Sequence, residues 1–287
     1  MATSGGLPPP PAEPEPWSER DFSPITLFLR HQIGITLEAH RMGLLQARLR
    51  SRLQAKGFRG FSQFHEQVLR GDPTGWGAQL LIDLSTVNHT SFFREPAHFT
   101  FMAERVAAWL KESPAGPIRI WSAGCSSGQE PYSMAMVLTE SLAGAAAQKV
   151  EVWASDLSLE MLKAAAGAVY TTRDVQGVSP ARLRRFFLLG RGPREGSFRV
   201  VPEVRDLVRF RHIDLRNSVW AVPSDLPMIF CRNVSIYFSD EERQTLLHRL
   251  AQHLRPGGWL VMGNGEILPE VPPFFRKHSP SLFQKEG

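Results

Sequence analysis

The stretch IRIWSAGCSSGQEPY, residues 118–132, decides the fold of this chain. Its first four residues form a short apolar run of the kind that makes a buried strand. A turn containing Gly124 and Gly128 follows, where glycine lets a backbone approach a ligand closely, and a helix-forming run occupies 133–142. A strand, a glycine turn and a helix are the first unit of a doubly wound α/β sheet, in which a cofactor lies across the carboxyl end of the strand.

A second predicted strand, VEVWASD at 150–156, ends in an acidic residue. In folds of this kind an acid at that position binds the ribose hydroxyls of a nucleotide cofactor, so Asp156 is a candidate ligand. The glycine turn lacks the GxGxxG pattern of nicotinamide dinucleotide enzymes. Together these features favour S-adenosylmethionine as the cofactor, although an ordinary loop with a solvated aspartate is an alternative explanation.

The composition is that of a globular protein in a reducing compartment. The 287 residues are 43% hydrophobic and 21% charged, enough for one large or two modest domains. Two cysteines, Cys125 and Cys231, cannot form a disulfide framework. The first 17 residues lack the apolar core of a signal peptide, and no apolar run approaches membrane-spanning length. We therefore expect a cytoplasmic protein.

Positive charge is concentrated near the N-terminus. The formal net charge is +5, and six basic residues lie within 41–59, where there is no acidic residue. Four of them are predicted to form a stripe on one helix, beside a stripe of leucines: Arg41, Arg48, Arg52 and Lys56. A solvated helix face would explain such a stripe, but the absence of acids favours an acidic partner.

Shifts in composition predict the domain organisation. Residues 1–17 are rich in proline with almost nothing to bury, so we expect disorder there. Residues 18–86 predict a small all-α domain, 87–98 a linker, and 99–287 an α/β domain. Within the last, about 184–206 predicts a small antiparallel β-subdomain made of short strands around a glycine-rich turn, with a third strand leading back into the main sheet.

Two helix starts can be predicted from capping residues. Ser23 is a candidate N-cap, followed by Pro24 at the first helical position. Ser239 and Glu242 have the spacing of a capping box at the start of a later helix.

Four motifs, in this order, resemble those of the CheR-type chemotaxis receptor methyltransferases: NHTSFFRE at 88–95, GCSSGQEPYS at 124–133, ASD at 154–156 and FCRNVSIYF at 230–238. The resemblance covers about residues 18–287. It implies a class I, Rossmann-like S-adenosylmethionine-dependent domain with a small β-subdomain, preceded by an all-α domain. It also implies methyl transfer from S-adenosylmethionine to glutamate side chains of methyl-accepting receptors, with S-adenosylhomocysteine as the product.

The resemblance assigns roles to matching positions. Together with Gly124 of the glycine turn, the implied cofactor-binding residues are Asn88, Thr90, Arg94, Glu130, Asp156, Asp214, Leu215, Cys231, Arg232 and Asn233. Glu130 would hold the methionyl ammonium, and Arg94 and Tyr237 would lie beside the transferred methyl as the catalytic candidates. The basic helix would contact the acidic coiled coil of the receptor, and in some family members the β-subdomain docks the C-terminal tail of a receptor.

Several positions depart from the family pattern, among them Ser235, where members usually have methionine or leucine, and Val87, where they usually have threonine. Asp214 stands where members often have asparagine, and GNGE at 263–266 stands where they often have GHSE. Plainer roles also exist for two of the candidates. Glu130 could be an acid that stabilises the helix dipole, and Tyr237 could be a packing aromatic.

Other functions would require motifs that differ from those of this sequence. A nicotinamide oxidoreductase would need GxGxxG in the first turn, and a nucleic-acid methyltransferase would be expected to have an Asn-Pro-Pro-Tyr-like motif where CRNV stands. A non-catalytic receptor adaptor that binds S-adenosylmethionine is the remaining alternative. A glutamate substrate is ionised at neutral pH, because its pKa is about 4.3. No general base or metal site is therefore expected.

Overall fold

A computed structural model describes residues 19–34, 39–72, 74–85, 90–112, 116–142, 149–266, 268 and 270–287. The chain forms two units, Met1–Thr86 and Val87–Gly287. Three of the predictions fall outside the described residues: the proline-rich segment 1–17, Asn88, and the side chain of Arg41. No helix in the described ranges is long and apolar enough to span a membrane.

The described part of the first unit is helical. Its elements are α1 (Glu19–Phe28), which continues into a π-helical turn (Leu29–Ile33), α2 (Ala39–Ala55), α3 (Phe61–Phe64), which continues into a second π-helical turn (His65–Leu69), and α4 (Trp76–Ser85). The stripe of Leu45, Leu49 and Leu53 on α2 is buried, as its spacing of four residues predicts. The chain leaves α2 at Gly57, whose φ of +84° suits glycine.

The start of α1 differs from the prediction. The helix begins at Glu19 and Pro24 lies inside it, so the predicted N-cap at Ser23 is wrong. A proline within the helix removes one backbone hydrogen bond. Phe22 and Ile25, which flank Ser23 and Pro24, are both buried, and their burial favours a helix that continues through the proline.

The second unit contains the predicted α/β fold. In chain order its elements are α5 (Pro96–Lys111), β1 (Ile118–Ala123), α6 (Gln129–Ser141), β2 (Val150–Asp156), α7 (Leu159–Gly167), β3 (Val169–Thr171), α8 (Pro180–Phe186), β4 (Phe187–Leu189), β5 (Ser197–Val200), α9 (Pro202–Arg205), β6 (Val208–His212), β7 (Leu226–Cys231), α10 (Asp240–His253), β8 (Leu254–Met262), β9 (Phe275–Lys277) and β10 (Leu282–Lys285). The capping box of Ser239 and Glu242 at the start of α10 is confirmed.

The main sheet has seven strands in the order β6-β2-β1-β7-β8-β10-β9. The first five are parallel, and β10 runs antiparallel between β8 and β9. Both faces are covered, so alternate residues of one strand enter different cores: Ile120 of β1 packs in one, and the adjacent Trp121 in the other. This double burial explains why the central strands are continuous apolar runs in the sequence.

The small antiparallel sheet contains a strand that the sequence did not predict. Its order is β3-β5-β4, so residues 169–171, outside the predicted range 184–206, supply an edge strand. Tyr170 of β3 pairs with Phe198 of β5. The predicted third strand, β6, belongs wholly to the main sheet, where Val208 pairs with Val152. A three-residue strand directly after a helix is too short to show a period of two.

Candidate cofactor site

The carboxyl ends of the parallel strands lie at one edge of the main sheet. In the register of the sheet, Ala123 is opposite Ser155, and Asp156 is opposite His212. The segment after each of these strands therefore starts at the same edge, which is where open α/β sheets bind ligands. Predicted site residues brought to this edge are Gly124, Asp156, Asp214, Leu215, Cys231, Arg232 and Asn233.

The turn after β1 is fixed by hydrogen bonds to the end of β2. The N–H groups of Gly124 and Cys125 both donate to the carbonyl oxygen of Ser155, at 2.8 Å each. Gly124 has φ +83°, and a Cβ there would lie 2.3 Å from Cγ2 of Val234. Glycine is required at this position by its backbone conformation and by the close approach of the loop after β7.

Asp156 connects the glycine turn to the start of the next helix. Its Oδ2 accepts from the N–H of Ser126 at 2.7 Å, and its Oδ1 accepts from the N–H of Ser158 at 2.9 Å. A carboxylate oxygen can accept more than one hydrogen bond. These contacts hold the carboxylate at the end of β2, between the glycine turn and α7.

Glu130, in the first turn of α6, faces the same edge. Its Oε1 accepts from the hydroxyl of Ser122 at 2.7 Å, and its Oε2 pairs with a guanidinium nitrogen of Arg232 at 3.0 Å. Burial raises the pKa of Glu130, while Arg232 and Ser122 oppose that rise by stabilising the carboxylate. The half-buried carboxylate therefore has a cationic neighbour that favours its ionised form.

Arg232 joins three separate parts of the second unit. Besides Glu130, its guanidinium pairs with Glu95 at 3.0 Å and donates to the carbonyl oxygen of Arg94 at 2.7 Å. Its side chain is 2% exposed. The sequence predicted Arg232 as a cofactor ligand, and the structure shows its guanidinium engaged with two carboxylates and a carbonyl.

The loop that carries Arg94 has a strained backbone. Phe93 and Glu95, on either side of Arg94, have φ values of 55° and 56°, in the left-handed region that non-glycine residues rarely occupy. The N–H of Phe93 donates to Oγ of Ser133 at 2.9 Å, and the guanidinium carbon of Arg182 lies 4.0 Å from the centroid of the Phe93 ring. Such backbone conformations persist where surrounding contacts fix them, and they cluster at functional sites.

His98 is buried beside this loop. One ring nitrogen, Nε2, lies 2.8 Å from Oγ of Ser281, and the other, Nδ1, lies 3.3 Å from a carboxylate oxygen of Glu95. Burial, followed by the nearby charge of Arg232, lowers the pKa of His98 to about 4, although Glu95 opposes the shift. The imidazole is therefore neutral at pH 7.

We expect His98 to make stability depend on pH. Its pKa is about 4 in the folded protein and about 6.5 in an unfolded chain, so unfolding takes up a proton between these values. The free energy of unfolding therefore has its full value, as far as His98 is concerned, above about pH 6.5. It decreases as the pH falls from about 6.5 through about 4. The full shift corresponds to about 3 kcal/mol.

Urea unfolding at pH 7 and pH 4.5 measures this effect. The wild-type free energy of unfolding is expected to fall more between the two pH values than that of His98→Gln. His278→Gln, which replaces an exposed imidazole, is the control and is expected to keep the wild-type pH dependence. Equal pH dependence in the wild type and His98→Gln would contradict the assignment.

The loop after β7 is held by a residue that the sequence did not single out. The carboxylate of Glu266, from the loop after β8, accepts hydrogen bonds from the N–H groups of Asn233, Val234, Ser235 and Gly263. It also accepts from the hydroxyl of Ser235. Only the family pattern at 263–266 gave a signal for this residue, and it gave none for its role.

Both cysteines are buried protonated thiols. Burial raises the pKa of Cys125 and of Cys231 well above the usual thiol value, and nearby carboxylates raise both further. Neither thiol is therefore activated as a nucleophile.

Asp214 is neutralised by an arginine two residues later. Its carboxylate accepts from the Nε and backbone N–H of Arg216, each at 2.9 Å, and pairs with a terminal guanidinium nitrogen of the same residue. The adjacent Leu215 is buried in the core that contains Trp220. The ion pair with Arg216 accommodates an acid at this position, where the resemblance led us to expect asparagine.

The other predicted residues divide between the two units. Thr90 and Arg94 are half-buried residues of the second unit, as is Tyr237, in a 3₁₀ turn (Ser235–Tyr237). In the first unit, three of the predicted receptor-binding residues are exposed: Arg48, Arg52 and Lys56.

The chemistry of this edge fits S-adenosylmethionine, which carries a positive sulfonium and a positive ammonium. The half-buried carboxylates of Glu95 and Glu130 and the buried carboxylates of Asp156 and Glu266 are accompanied by the buried guanidinium of Arg232. A site with more buried acids than buried bases favours a cationic ligand.

A family model described as "CheR methyltransferase, SAM binding domain" matches residues 88–282. The chain belongs to the CheR methyltransferase family. A second model, "CheR methyltransferase, all-alpha domain", matches residues 20–83. The predicted fold class, an S-adenosylmethionine-binding α/β domain preceded by an all-α domain, is confirmed, and so is S-adenosylmethionine as the cofactor. The chain is an S-adenosylmethionine-dependent methyltransferase.

Relatives in this CheR family cover nearly the whole chain. The chemotaxis protein methyltransferase of Klebsiella aerogenes is 35% identical over 256 residues, which span 89% of this chain and 86% of that protein. The chemotaxis protein methyltransferase of Escherichia coli K12 is 35% identical over 250 residues, spanning 87% and 85%. A solved structure, the glycopeptide N-methyltransferase MtfA complexed with sinefungin, is 16% identical with a TM-score of 0.35, covering 68% of this chain and 60% of that one.

Proposed function

We propose that this CheR family member transfers the methyl group of S-adenosylmethionine to glutamate side chains of methyl-accepting chemotaxis receptors in the cytoplasm. The observation that carries the proposal is the half-buried Glu130 carboxylate, which pairs with Arg232 at the carboxyl edge of the sheet, within the part of the chain that matches the S-adenosylmethionine-binding domain of the family. The relatives named chemotaxis protein methyltransferase support a receptor substrate.

The proposed placement of the cofactor follows the strand ends. Glu130 binds the methionyl ammonium through charge-assisted hydrogen bonds. Asp156 accepts from the ribose hydroxyls. Asp214 and Leu215 flank the adenine. The positions proposed to line the rest of the pocket are Asn88, Thr90, Arg94, Gly124, Cys231, Arg232 and Asn233.

The reaction needs positioning more than proton transfer. The bound cofactor supplies a methyl group activated by a positively charged sulfur. A receptor glutamate is already ionised at neutral pH, so its carboxylate is a nucleophile without a general base. We assign to Arg94 and Tyr237 the orientation of this carboxylate and the displacement of its water. Arg94 must not pair fully with the substrate, because a tight ion pair would lower its nucleophilicity.

Receptor recognition is assigned to two surfaces. The exposed Arg48, Arg52 and Lys56 of the first unit, together with Arg41, match the negative charge of a glutamate-bearing coiled coil. In the second unit, the small sheet of β3, β4 and β5 exposes Leu188 at its edge strand. An exposed strand edge can bind an extended peptide by adding a strand, so we place a receptor C-terminal tail there.

Charge reversal on the basic helix is expected to separate receptor binding from cofactor binding. The double variant Arg48→Glu with Arg52→Glu should reduce receptor methylation about tenfold or more at low ionic strength, because attraction becomes repulsion. The affinity for S-adenosylhomocysteine should not change. A matched control is Lys163→Glu with Lys277→Glu, which reverses two exposed charges of the second unit. Equal loss of methylation and cofactor affinity would show that the stripe is structural.

Methyl-ester analysis tests the function itself. The protein is incubated with methyl-tritiated S-adenosylmethionine and cytoplasmic fragments of chemotaxis receptors, and alkali is then added. Release of tritiated methanol is expected, because methyl esters of glutamate are labile to base. Label that resists alkali would contradict an ester product, and receptor binding without label would favour the non-catalytic adaptor.

A further inference from the structure

The loop after β7 connects a residue proposed to bind the cofactor with a residue proposed to orient the substrate. Its second residue, Asn233, is proposed to line the cofactor pocket, and the loop continues into the 3₁₀ turn that ends at Tyr237. Asn233 has φ 59°, in the left-handed region. Asparagine adopts this conformation more readily than most non-glycine residues, and contacts from outside the loop then hold the loop in place.

Glu266 provides those contacts. Its Oε2 accepts from the N–H of Asn233 at 2.6 Å and of Gly263 at 2.8 Å. Its Oε1 accepts from the N–H of Val234 at 3.1 Å, from the N–H of Ser235 at 2.9 Å, and from the Ser235 hydroxyl at 2.7 Å. The carboxylate therefore binds three consecutive backbone amides of the loop.

The carboxylate of Glu266 is buried, and the groups that donate hydrogen bonds to it are neutral. The residue is 3% exposed, and no described ion pair includes it. Backbone amides and a hydroxyl can stabilise a buried carboxylate when several donate to it. Because all of its described partners belong to this loop and to Gly263, its geometry determines the geometry of the loop.

The hydrogen bonds of Glu266 also fix the backbone at the start of the turn that carries Tyr237. The N–H of Tyr237 donates to the carbonyl oxygen of Val234 at 3.2 Å, so the turn begins at residues that Glu266 holds. Val234 also packs against the glycine turn, as the 2.3 Å from its Cγ2 to a Cβ placed on Gly124 shows. The loop is thus fixed on one side by the carboxylate and on the other by the turn after β1.

We propose that Glu266 is a positioning residue for methyl transfer, which presents Tyr237 to the reacting groups. The inference rests on the proposed function in assigning Tyr237 to the substrate. Glu266→Gln tests it, because an amide keeps the size of the side chain but turns one acceptor into a donor. The new NH2 group faces backbone N–H donors, so the loop must move.

The chain has three tyrosines, which gives a direct readout of Tyr237. Labelling with 3-fluorotyrosine should yield three ¹⁹F NMR signals, and Tyr237→Phe identifies the one that belongs to Tyr237. Tyr132 and Tyr170 are buried in the core on one face of the sheet. In Glu266→Gln we expect the Tyr237 signal to shift or broaden and the other two to stay in place. Glu270→Gln, an exposed acid in the same segment, should change none of them.

Kinetics complete the test. Glu266→Gln should lower kcat for receptor methylation on the order of 10- to 100-fold, as expected for a misplaced group. KM for S-adenosylmethionine should rise by a smaller factor, because the displaced loop also carries Asn233, which is proposed to line the cofactor pocket. In the double variant with Tyr237→Phe, kcat should stay within about threefold of that of the more severe single variant, because both substitutions remove the contribution of the same side chain.

Three outcomes would overturn the proposal: an unmoved Tyr237 signal, equal movement of all three signals, or kcat losses that multiply. A wild-type protein that forms no methyl ester would instead refute the proposed function. In that case the ¹⁹F spectra would still decide whether Glu266 fixes Tyr237.

Discussion

Replacing Glu130 with glutamine is expected to weaken the binding of S-adenosylhomocysteine about 100-fold, since hydrogen bonds to charged groups contribute about 1.5–3 kcal/mol. Glutamine is almost the same size as glutamate and can still accept a hydrogen bond from Ser122, which lies 2.7 Å from the carboxylate. It cannot offer a negative charge to an ammonium group. The loss is therefore electrostatic, and isothermal titration calorimetry measures it directly.

Glu140→Gln is the matched control for this change. Glu140 lies on the same helix, α6, and its carboxylate also pairs with an arginine, Arg182, at 2.7 Å. That pair lies at the other end of the helix and is partly exposed, so cofactor affinity should stay within about twofold of the wild type. Equal weakening in both variants would show that Glu130 acts through the stability of α6 and would remove it from the cofactor site.

Replacing Arg232 with methionine is expected to lower the free energy of unfolding by up to about 3–5 kcal/mol, the range for breaking a buried ion pair, because it leaves two half-buried carboxylates without their cation. Glu95 and Glu130 each have an oxygen 3.0 Å from the guanidinium. A loss of this size is a large fraction of the ~5–15 kcal/mol that stabilises a typical protein. Urea unfolding followed by circular dichroism measures it, and cofactor affinity should fall as well, since the Arg94 loop loses a contact.

An exposed ion pair supplies the comparison. Arg276 pairs with Glu286 at 2.9 Å, but both side chains are in solvent. Arg276→Met should leave the unfolding curve unchanged, because exposed pairs contribute little. If Arg232→Met were as stable as Arg276→Met, the pairing of Arg232 with Glu95 and Glu130 would not be an organising contact of the site.

Local sequence patterns predicted the elements that have a clear hydrophobic pattern or a recognisable capping motif at the start of the helix. The stripe of leucines on α2, the apolar strands β1, β2 and β7, and the capping box of α10 are each visible within a few neighbouring residues. Two short edge strands were not predicted, β3 with three residues and β9 with three. They are strands because partners pair with them, which no local pattern encodes.

The contacts that organise the candidate site could not be predicted from the sequence, for a related reason. Arg232 is 102 residues from Glu130 and 138 from Arg94 along the chain. Glu266 meets Asn233 across 33 residues, only because β7 and β8 are neighbours in the sheet. The motifs indicated which segments converge at the strand ends. They could not show which acid faces which base, since that depends on the registers of several strands and loops.

The ion pair of Asp214 and Arg216 couples the charges of two positions that are separated by one residue in the chain. Converting the aspartate alone to asparagine would leave an uncompensated cation next to the proposed adenine position. A substitution at Asp214 therefore acts through the charge at position 216 as well, and only a double substitution that removes both charges keeps the segment balanced.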